Sequence, residues 1–510
     1  MKISVIDLGF NSLKLVSYDV KPDNSSFSAF YQRSLPVRLG EGLSQTGFLG
    51  DEPARRALEG LRLFKELNEF NGVRYCLPIA TSGVREAGNR DQFLSRVVEE
   101  TGLRLKVLSG REEALYSFSG ASRALGLSDS LFFDIGGGSV EFVSCRDSRV
   151  KKILSLPLGG LRLTQLYSAS DGSFKGKALA AMKKRVLELL PTRAELKLDD
   201  RAVLMGVGGN LRALARWDQE LRAYQFNKLH NYTIKRSSVK TMAEELSKLS
   251  GKEIGEIYAI GKDRAETILA GAVVVELTMR KLGFDRVTVS THGLRDGVLA
   301  SFLEDPVAFH QGRNRIVPRL KRRPEWWQTL PRSVGRFIVK LEDAGLLEGS
   351  EPRILAYAMR WVTSEAPPTV RPEAVFYQIM DEDSSLSHRE QLVAALTFAE
   401  MRKPRSAEWL FSAYRSMLKP KKSREAMEKL AAVSRFLEII VKTDSRFSFS
   451  LDSRDPRVKI RVVPGRQEFP SSLLRASVAE LGSRLDRFVE YSVKGSPTIS
   501  KRAGERAVEA

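Results

Sequence analysis

Over roughly the first 300 residues, short apolar runs alternate with stretches whose apolar side chains recur every three or four positions. Residues 3–6, 13–18, 73–78, 105–108, 131–135, 140–145, 203–207 and 287–290 read as strands. Residues 53–69, 91–100, 112–125 and 264–282 read as helices, so the pattern is α/β. Beyond position 303 the texture turns helical, over 333–344, 353–364, 388–401 and 423–441. Strand-like text returns at 447–451 and 458–463, before a helix over 471–491 and a tail containing Gly, Ser and Pro. These shifts place boundaries near 118, 302 and 444, giving spans 1–118, 119–302, 303–444 and 445–510.

The pattern also contains an internal repeat. Residues 6–17 read I-D-L-G-F-N-S-L-K-L-V-S, and residues 133–144 read F-D-I-G-G-G-S-V-E-F-V-S. In register, Asp7 meets Asp134, Gly9 meets Gly136 and Ser12 meets Ser139. Each copy is strand, acidic residue, glycine turn, strand, which implies two related lobes facing one another.

Composition narrows the class. The 510 residues are 42% hydrophobic and 28% charged, which excludes a disordered chain, a collagen and a membrane bundle. Lys+Arg number 82 against 62 Asp+Glu, a net +20 that implies a polyanionic partner without choosing among nucleic acid, polyphosphate and anionic lipid. Cys76 and Cys145 sit in apolar strand-like runs and read as buried free thiols in a reducing compartment. No His/Cys cluster has zinc spacing. Asp7, Asn11 and Lys14 interrupt the N-terminal apolar stretch, which is not expected to be a signal peptide. No apolar run approaches the ~18–20 residues of a membrane span. The expectation is a soluble cytoplasmic protein.

Glycine turns between strands let backbone N–H groups approach phosphate oxygens, and a neighbouring Ser adds a hydroxyl donor. An Asp at the strand end holds a hydrated Mg²⁺. Taken singly, each hairpin is equally an ordinary tight turn; two in register favour a phosphate cradle built from Gly9, Asn11, Ser12, Gly136, Gly137, Gly138 and Ser139. A third loop, Gly206-Val-Gly208-Gly209-Asn210, stands between a strand and a helix, again a phosphate-compatible geometry but not the dinucleotide fingerprint. In Ser109-Gly-Arg-Glu-Glu-Ala114, Ser109 and Glu112 have capping-box spacing, which leaves Glu113 as the freer carboxylate. It is a candidate general base, or simply an acidic first-turn residue. Glu141, flanked by Val140 and Phe142, either joins Asp134 and Glu113 around a water or metal or is an ordinary strand residue. Arg85 and Arg295 are candidate phosphate forks or solvated arginines. His292 reads as structural.

At these residues the chain resembles the exopolyphosphatase / guanosine pentaphosphate phosphohydrolase family, whose N-terminal half has the actin/sugar-kinase/chaperone ATPase superfold. The resemblance rests on Ile6-Asp-Leu-Gly-Phe-Asn-Ser12, Ala80-Thr-Ser-Gly-Val-Arg-Glu-Ala87, Ser109-Gly-Arg-Glu-Glu-Ala114, Asp134-Ile-Gly-Gly-Gly-Ser-Val-Glu141, Gly206-Val-Gly-Gly209 and Gly293-Leu-Arg-Asp-Gly297, in family order over about 1–300. It implies two actin-like lobes around a cleft, then a helical HD-like domain and a small α/β domain. It implies Glu113 as the base that activates water, and Asp134, Glu141 and Asp7 as metal carboxylates. Arg85 would grip a phosphate, and Gly208 and Gly209 would join the hairpins in the cradle. The implied cofactor is Mg²⁺, with K⁺ as a further ion. The implied substrate is inorganic polyphosphate or guanosine pentaphosphate, and the implied assembly is a homodimer, with neither membrane nor nucleic acid as partner.

The chain departs from the family in places. It has no His-Asp dipeptide, and Phe398-Ala-Glu-Met-Arg-Lys403 carries Met401 where long members place His, which argues against a second metal site. Phe10 replaces a small Ser and Asn210 a Thr, and both bear on substrate preference. Two other readings stay open: an ATP-dependent kinase of the same superfold, and a non-catalytic polyanion-binding protein drawing on the basic stretches 313–340 and 402–424. Arg319, Lys321, Arg322 and Arg323 are the cations expected to draw a phosphate chain towards the cleft.

Overall fold

The computed structural model describes residues 1–22, 27–127, 129–147, 149–169, 174, 176–312, 327, 329–363, 371–451, 457–463, 471–493 and 499–501. It divides into two compact units, Met1–Leu320 and Lys321–Ala510.

In the first unit, β1 (Lys2–Leu8), β2 (Leu13–Val20), β3 (Phe27–Leu35), β4 (Tyr75–Ala80) and β5 (Lys106–Val107) form a sheet in the order β3-β2-β1-β4-β5. A second sheet contains β6 (Ser130–Ile135), β7 (Val140–Arg146), β8 (Arg149–Leu156), β9 (Val203–Val207), β10 (Thr233–Lys235) and β11 (Arg286–Val289). Its order, β8-β7-β6-β9-β11-β10, repeats the first sheet strand for strand and adds β10 at the edge. The directions repeat as well. The first two pairings of each sheet are antiparallel and the next two parallel. The duplication inferred from two hairpins therefore extends to two whole sheets.

All eight strands expected from apolar runs are present. In this unit the pattern missed β3, β8 and β10, three of the four strands at sheet edges, and found the fourth, β5. β3 exposes most of its residues, so it lacks the apolar signature of β1, which is buried along nearly its whole length.

The helix Gly110–Leu125, which carries Glu113, packs against Leu294–Glu304. The crossing is so close that a methyl group at Gly120 or Gly297 would strike the backbone of the opposite helix. Val298, Leu299 and Phe302 share a core with Ile3, Val5, Ile79 and Tyr116. After building the second sheet, the chain thus returns to the first, and the change of texture near 302 falls inside this returning helix. The expected helix over 264–282 is two helices, Lys262–Ala265 and Ile268–Lys281.

The second unit opens with the helices Arg332–Asp343, Glu351–Val362, Pro372–Asp381, His388–Arg402, Pro404–Ala413 and Pro420–Lys442. A four-stranded sheet follows, β12 (Arg446–Leu451), β13 (Arg457–Val463), β14 (Phe488–Val493) and β15 (Ile499–Lys501), in that order. The helix expected over 471–491 spans only Ser471–Leu485. Asp486 adopts a left-handed backbone with φ 51°, and the chain re-enters as β14 with Val489 and Tyr491 buried. In the basic stretch 402–424, Arg402 pairs with Glu438 at 2.7 Å and Arg424 with Glu408 at 2.6 Å. Arg319, Lys321, Arg322 and Arg323 lie outside the described residues. No described helix is long and apolar enough to cross a membrane.

Candidate active site

The two hairpins have one turn geometry. Gly9 N donates to Ser12 O at 3.0 Å, and Gly136 N donates to Ser139 O at 3.0 Å. Across the strands, Asp7 faces Lys14 and Asp134 faces Glu141. None of Gly9, Gly136, Gly137 and Gly138 has a positive φ, so these glycines provide space and not left-handed backbone. The space is used between the lobes. A methyl at Gly137 would lie 3.3 Å from Asn11, and one at Gly138 would lie 2.6 Å from the Phe10 ring. Phe10 is 2% exposed, with the Arg162 guanidinium 5.5 Å from its ring centroid. The aromatic ring fills the room between the hairpins and leaves the cleft lined but not blocked.

The cleft encloses a cavity of about 120 Å³. Asp7, Gly9, Asn11, Ser12, Glu113, Asp134, Gly136, Gly137, Ser139, Gly208 and Gly209 all line it. The capping box is formed: Ser109 Oγ accepts from Glu112 N at 3.2 Å, and Glu112 accepts from Ser109 N at 2.9 Å. Glu112 is thereby occupied, while Glu113 turns inward and is 8% exposed. Arg85 donates to Glu113 Oε2 and to Leu108 O, each at 2.8 Å. Ser117 donates to Asp134 Oδ2 at 2.8 Å. Burial pushes the Glu113 carboxyl up to about 7 against the pull of Arg85, and raises Asp134 as well.

Three residues of the expected set stand elsewhere. Glu141 is 1% exposed, accepts from Ser155 Oγ at 2.9 Å and lies behind the cleft wall. Burial, then Glu113 and Asp134, push its carboxyl up. Arg85 does not line the cleft, since its guanidinium is engaged with Glu113 and the Leu108 carbonyl. Gly138 is likewise off the wall, and its carbonyl accepts from Arg162 Nε at 2.7 Å. Asn210 exchanges hydrogen bonds with Thr267, at 3.2 Å to its carbonyl and 3.1 Å from its hydroxyl, a buried structural pair. His292 lines the cleft, and its Nδ1 lies 3.2 Å from Asp296 Oδ1.

The main omission from the sequence reading is positive charge. Lys14, Arg212 and Arg264 line the cleft together with the carboxylates and with Arg295, the one of these four cations that the sequence offered as a phosphate fork. Burial and then Arg295 hold the Lys14 ammonium down to about 8. The one sequence signal for Lys14 was the repeat itself, which sets it in register with Glu141. Arg212 and Arg264 carried no such signal.

Two copies of one sheet plan, meeting at a cleft edged by paired Gly–Ser hairpins, define a two-lobed α/β class of protein. The Ppx/GppA phosphatase family model matches residues 20–305, and the chain belongs to that family. It is 29% identical over 313 residues to Exopolyphosphatase 2 of Mycobacterium tuberculosis, covering 59% of this chain and 98% of that one. It is 28% identical over 309 residues to Exopolyphosphatase 1 of Mycobacterium leprae, covering 60% and 90%. A solved exopolyphosphatase from Cytophaga hutchinsonii superposes with a TM-score of 0.55 at 25% identity, over 60% of this chain and 98% of that one. A Ppx/GppA family member from Aquifex aeolicus gives a TM-score of 0.50 at 26% identity with the same coverage.

Proposed function

We propose that the chain is an exopolyphosphatase, which hydrolyses the terminal phosphoanhydride bond of inorganic polyphosphate with a water activated by Glu113. One observation carries the reading: Glu113 is a buried carboxylate on the wall of a cleft edged by both Gly–Ser hairpins, oriented by Arg85. The printed names of the relatives point the same way.

In this reading the water oxygen attacks the terminal phosphorus and Glu113 accepts its proton. The bond to the bridging oxygen breaks, releasing orthophosphate and a chain one phosphate shorter. Backbone amides of the hairpins with Ser12 and Ser139 hold the terminal phosphate, while Arg85 orients Glu113 and does not grip substrate. Such a transfer depends on positioning and charge neutralisation more than on covalent chemistry.

The Mg²⁺ implied by the resemblance fits the donors. Asp7 and Asp134 present carboxylate oxygens at the wall, which are hard ligands of the kind Mg²⁺ takes. Bound there, the ion would neutralise phosphate charge and orient the terminal group. Glu141 stands behind them as a buried carboxyl held by Ser155, and not as a ligand. The homodimer and cytoplasmic setting belong to the same reading.

The test is orthophosphate release from long-chain polyphosphate, guanosine pentaphosphate and ATP with Mg²⁺, for wild type and Glu113→Gln. Turnover of polyphosphate by wild type and its loss in the variant is the expected result. Unchanged hydrolysis in the variant would sink the assignment of Glu113. Sugar-dependent ATP consumption would move the chain to the kinases, and preference for the pentaphosphate would change the substrate.

A further inference from the structure

Three guanidinium groups line the cleft. Arg212 stands in the first turn of the helix Gly209–Leu221, Arg264 in Lys262–Ala265, and Arg295 at the start of Leu294–Glu304. Arg295 has a counter-charge, Asp7, at 3.8 Å. Among the described residues, the guanidinium groups of Arg212 and Arg264 have no hydrogen bond or ion pair. The neighbouring carboxylates are already engaged, Glu113 by Arg85 and Asp134 by Ser117.

Arg264 makes the imbalance sharper. Its guanidinium lies against Gly209, where any side chain would clash with it. That puts a cation beside the first free amides of a 13-residue helix, already the positive end of its dipole. Burial, Arg295 and Arg264 hold Arg212 down to about 10, and Asp134 offsets only part of this. Like charges gathered in a cavity and only partly offset are costly, and the cost falls when an anion enters.

The place of that anion follows from the neighbours. Arg212 follows Gly208 and Gly209 in the first turn of its helix, and Arg264 lies against Gly209, so both cations adjoin the third glycine loop. The two hairpin turns hold the terminal phosphate in the proposed function, which leaves the third loop and its cations for the next phosphate of the chain. We propose that Arg212, with Arg264 beside it, is a substrate-binding residue for the phosphate next to the terminal one. There it takes up the charge that passes to the bridging oxygen when the terminal P–O bond breaks. The proposal rests on the exopolyphosphatase reading for the identity of the anion.

The test uses the full chain with Arg212→Gln and Arg212→Lys. Inorganic tripolyphosphate and orthophosphate are titrated calorimetrically, each variant also carrying Glu113→Gln to stop turnover. Removing a charge-assisted hydrogen bond should weaken tripolyphosphate binding by about 10–100-fold and leave orthophosphate, which needs only the terminal position, within about twofold. Arg212→Lys should recover a large part of the loss. With Glu113 intact, kcat/KM on polyphosphate should fall by a similar factor in Arg212→Gln. The ligand-free thermal midpoint should hold or rise in Arg212→Gln, because the repulsion is gone.

Unchanged tripolyphosphate affinity, an equal loss for both anions, or a lowered ligand-free midpoint would each overturn the proposal. A wild type that binds tripolyphosphate through Arg212 but hydrolyses no polyphosphate would retire the exopolyphosphatase reading and keep the site. Hydrolysis by wild type and Arg212→Gln alike would do the reverse.

Discussion

In the hairpin β1–β2 the residue facing Asp7 is Lys14, and in β6–β7 the residue facing Asp134 is Glu141. Strand order, strand direction and the Gly-to-Ser turn bond are otherwise common to the two lobes. A cleft edged by two like-charged copies would offer a phosphate chain the same field from either side. The exchange at this one register position removes that symmetry. On one side burial and Asp134 push the Glu113 carboxyl up, and burial, Glu113 and Asp134 push that of Glu141 up. On the other, Lys14 and Arg295 sit with Asp7, and the Lys14 ammonium is pushed down. Duplication supplies the backbone cradle, and one charge reversal separates a water-activating side from an anion-holding side.

The largest expected effect comes from the acidic side. Glu113→Gln keeps the shape and removes the base, so kcat should fall by about 10³-fold with KM little changed. Single-turnover phosphate release reads this directly. A loss confined to KM would move Glu113 from water activation to binding and dissolve the division between the sides.

The register pair itself gives the next test. Glu141→Ala should lower kcat by about 10-fold to 100-fold, because it removes the buried carboxyl that Ser155 holds behind Glu113 and Asp134 and loosens their placement without touching substrate. Lys14→Gln should raise KM by about tenfold and leave kcat nearly unchanged, since a phosphate contact common to ground and transition states is lost. Steady-state kinetics on polyphosphate separates the two. If both substitutions move the same parameter, the hairpins do not divide the work.

Much of this contrast was legible in the chain, for identifiable reasons. The repeat was visible because Asp, Gly and Ser recur at fixed spacing, and central strands show as apolar runs when both faces are buried. Glu113 stood out because the capping box accounts for Glu112. Glu141 was ambiguous because alternation along a strand suggests one wet face, whereas β7 is buried on both. Edge strands such as β3, mostly exposed, carry no apolar run to read. Arg212 and Arg264 were illegible for a different reason. A single arginine has no local spacing signal, and only the tertiary fold brings these two into one cleft.

The smallest expected effect tests how the hairpins fit together. The turn positions opposite one another in the repeat are Phe10 and Gly137, so the bulk of one copy occupies the space left by the other. A methyl at Gly138 would stand 2.6 Å from the Phe10 ring and 2.8 Å from Ser82 Oγ. Gly138→Ala should therefore cost about 1–3 kcal/mol of stability through overpacking. In a Phe10→Ser background, already destabilised by the lost ring, the same substitution should cost less than about 1 kcal/mol, because the room it needs has been opened. Chemical denaturation of the four proteins closes this cycle. Additive costs would mean that Ser82 and the backbone, and not the aromatic ring, set the spacing between the hairpins; the asymmetry of charge would then stand without the asymmetry of packing.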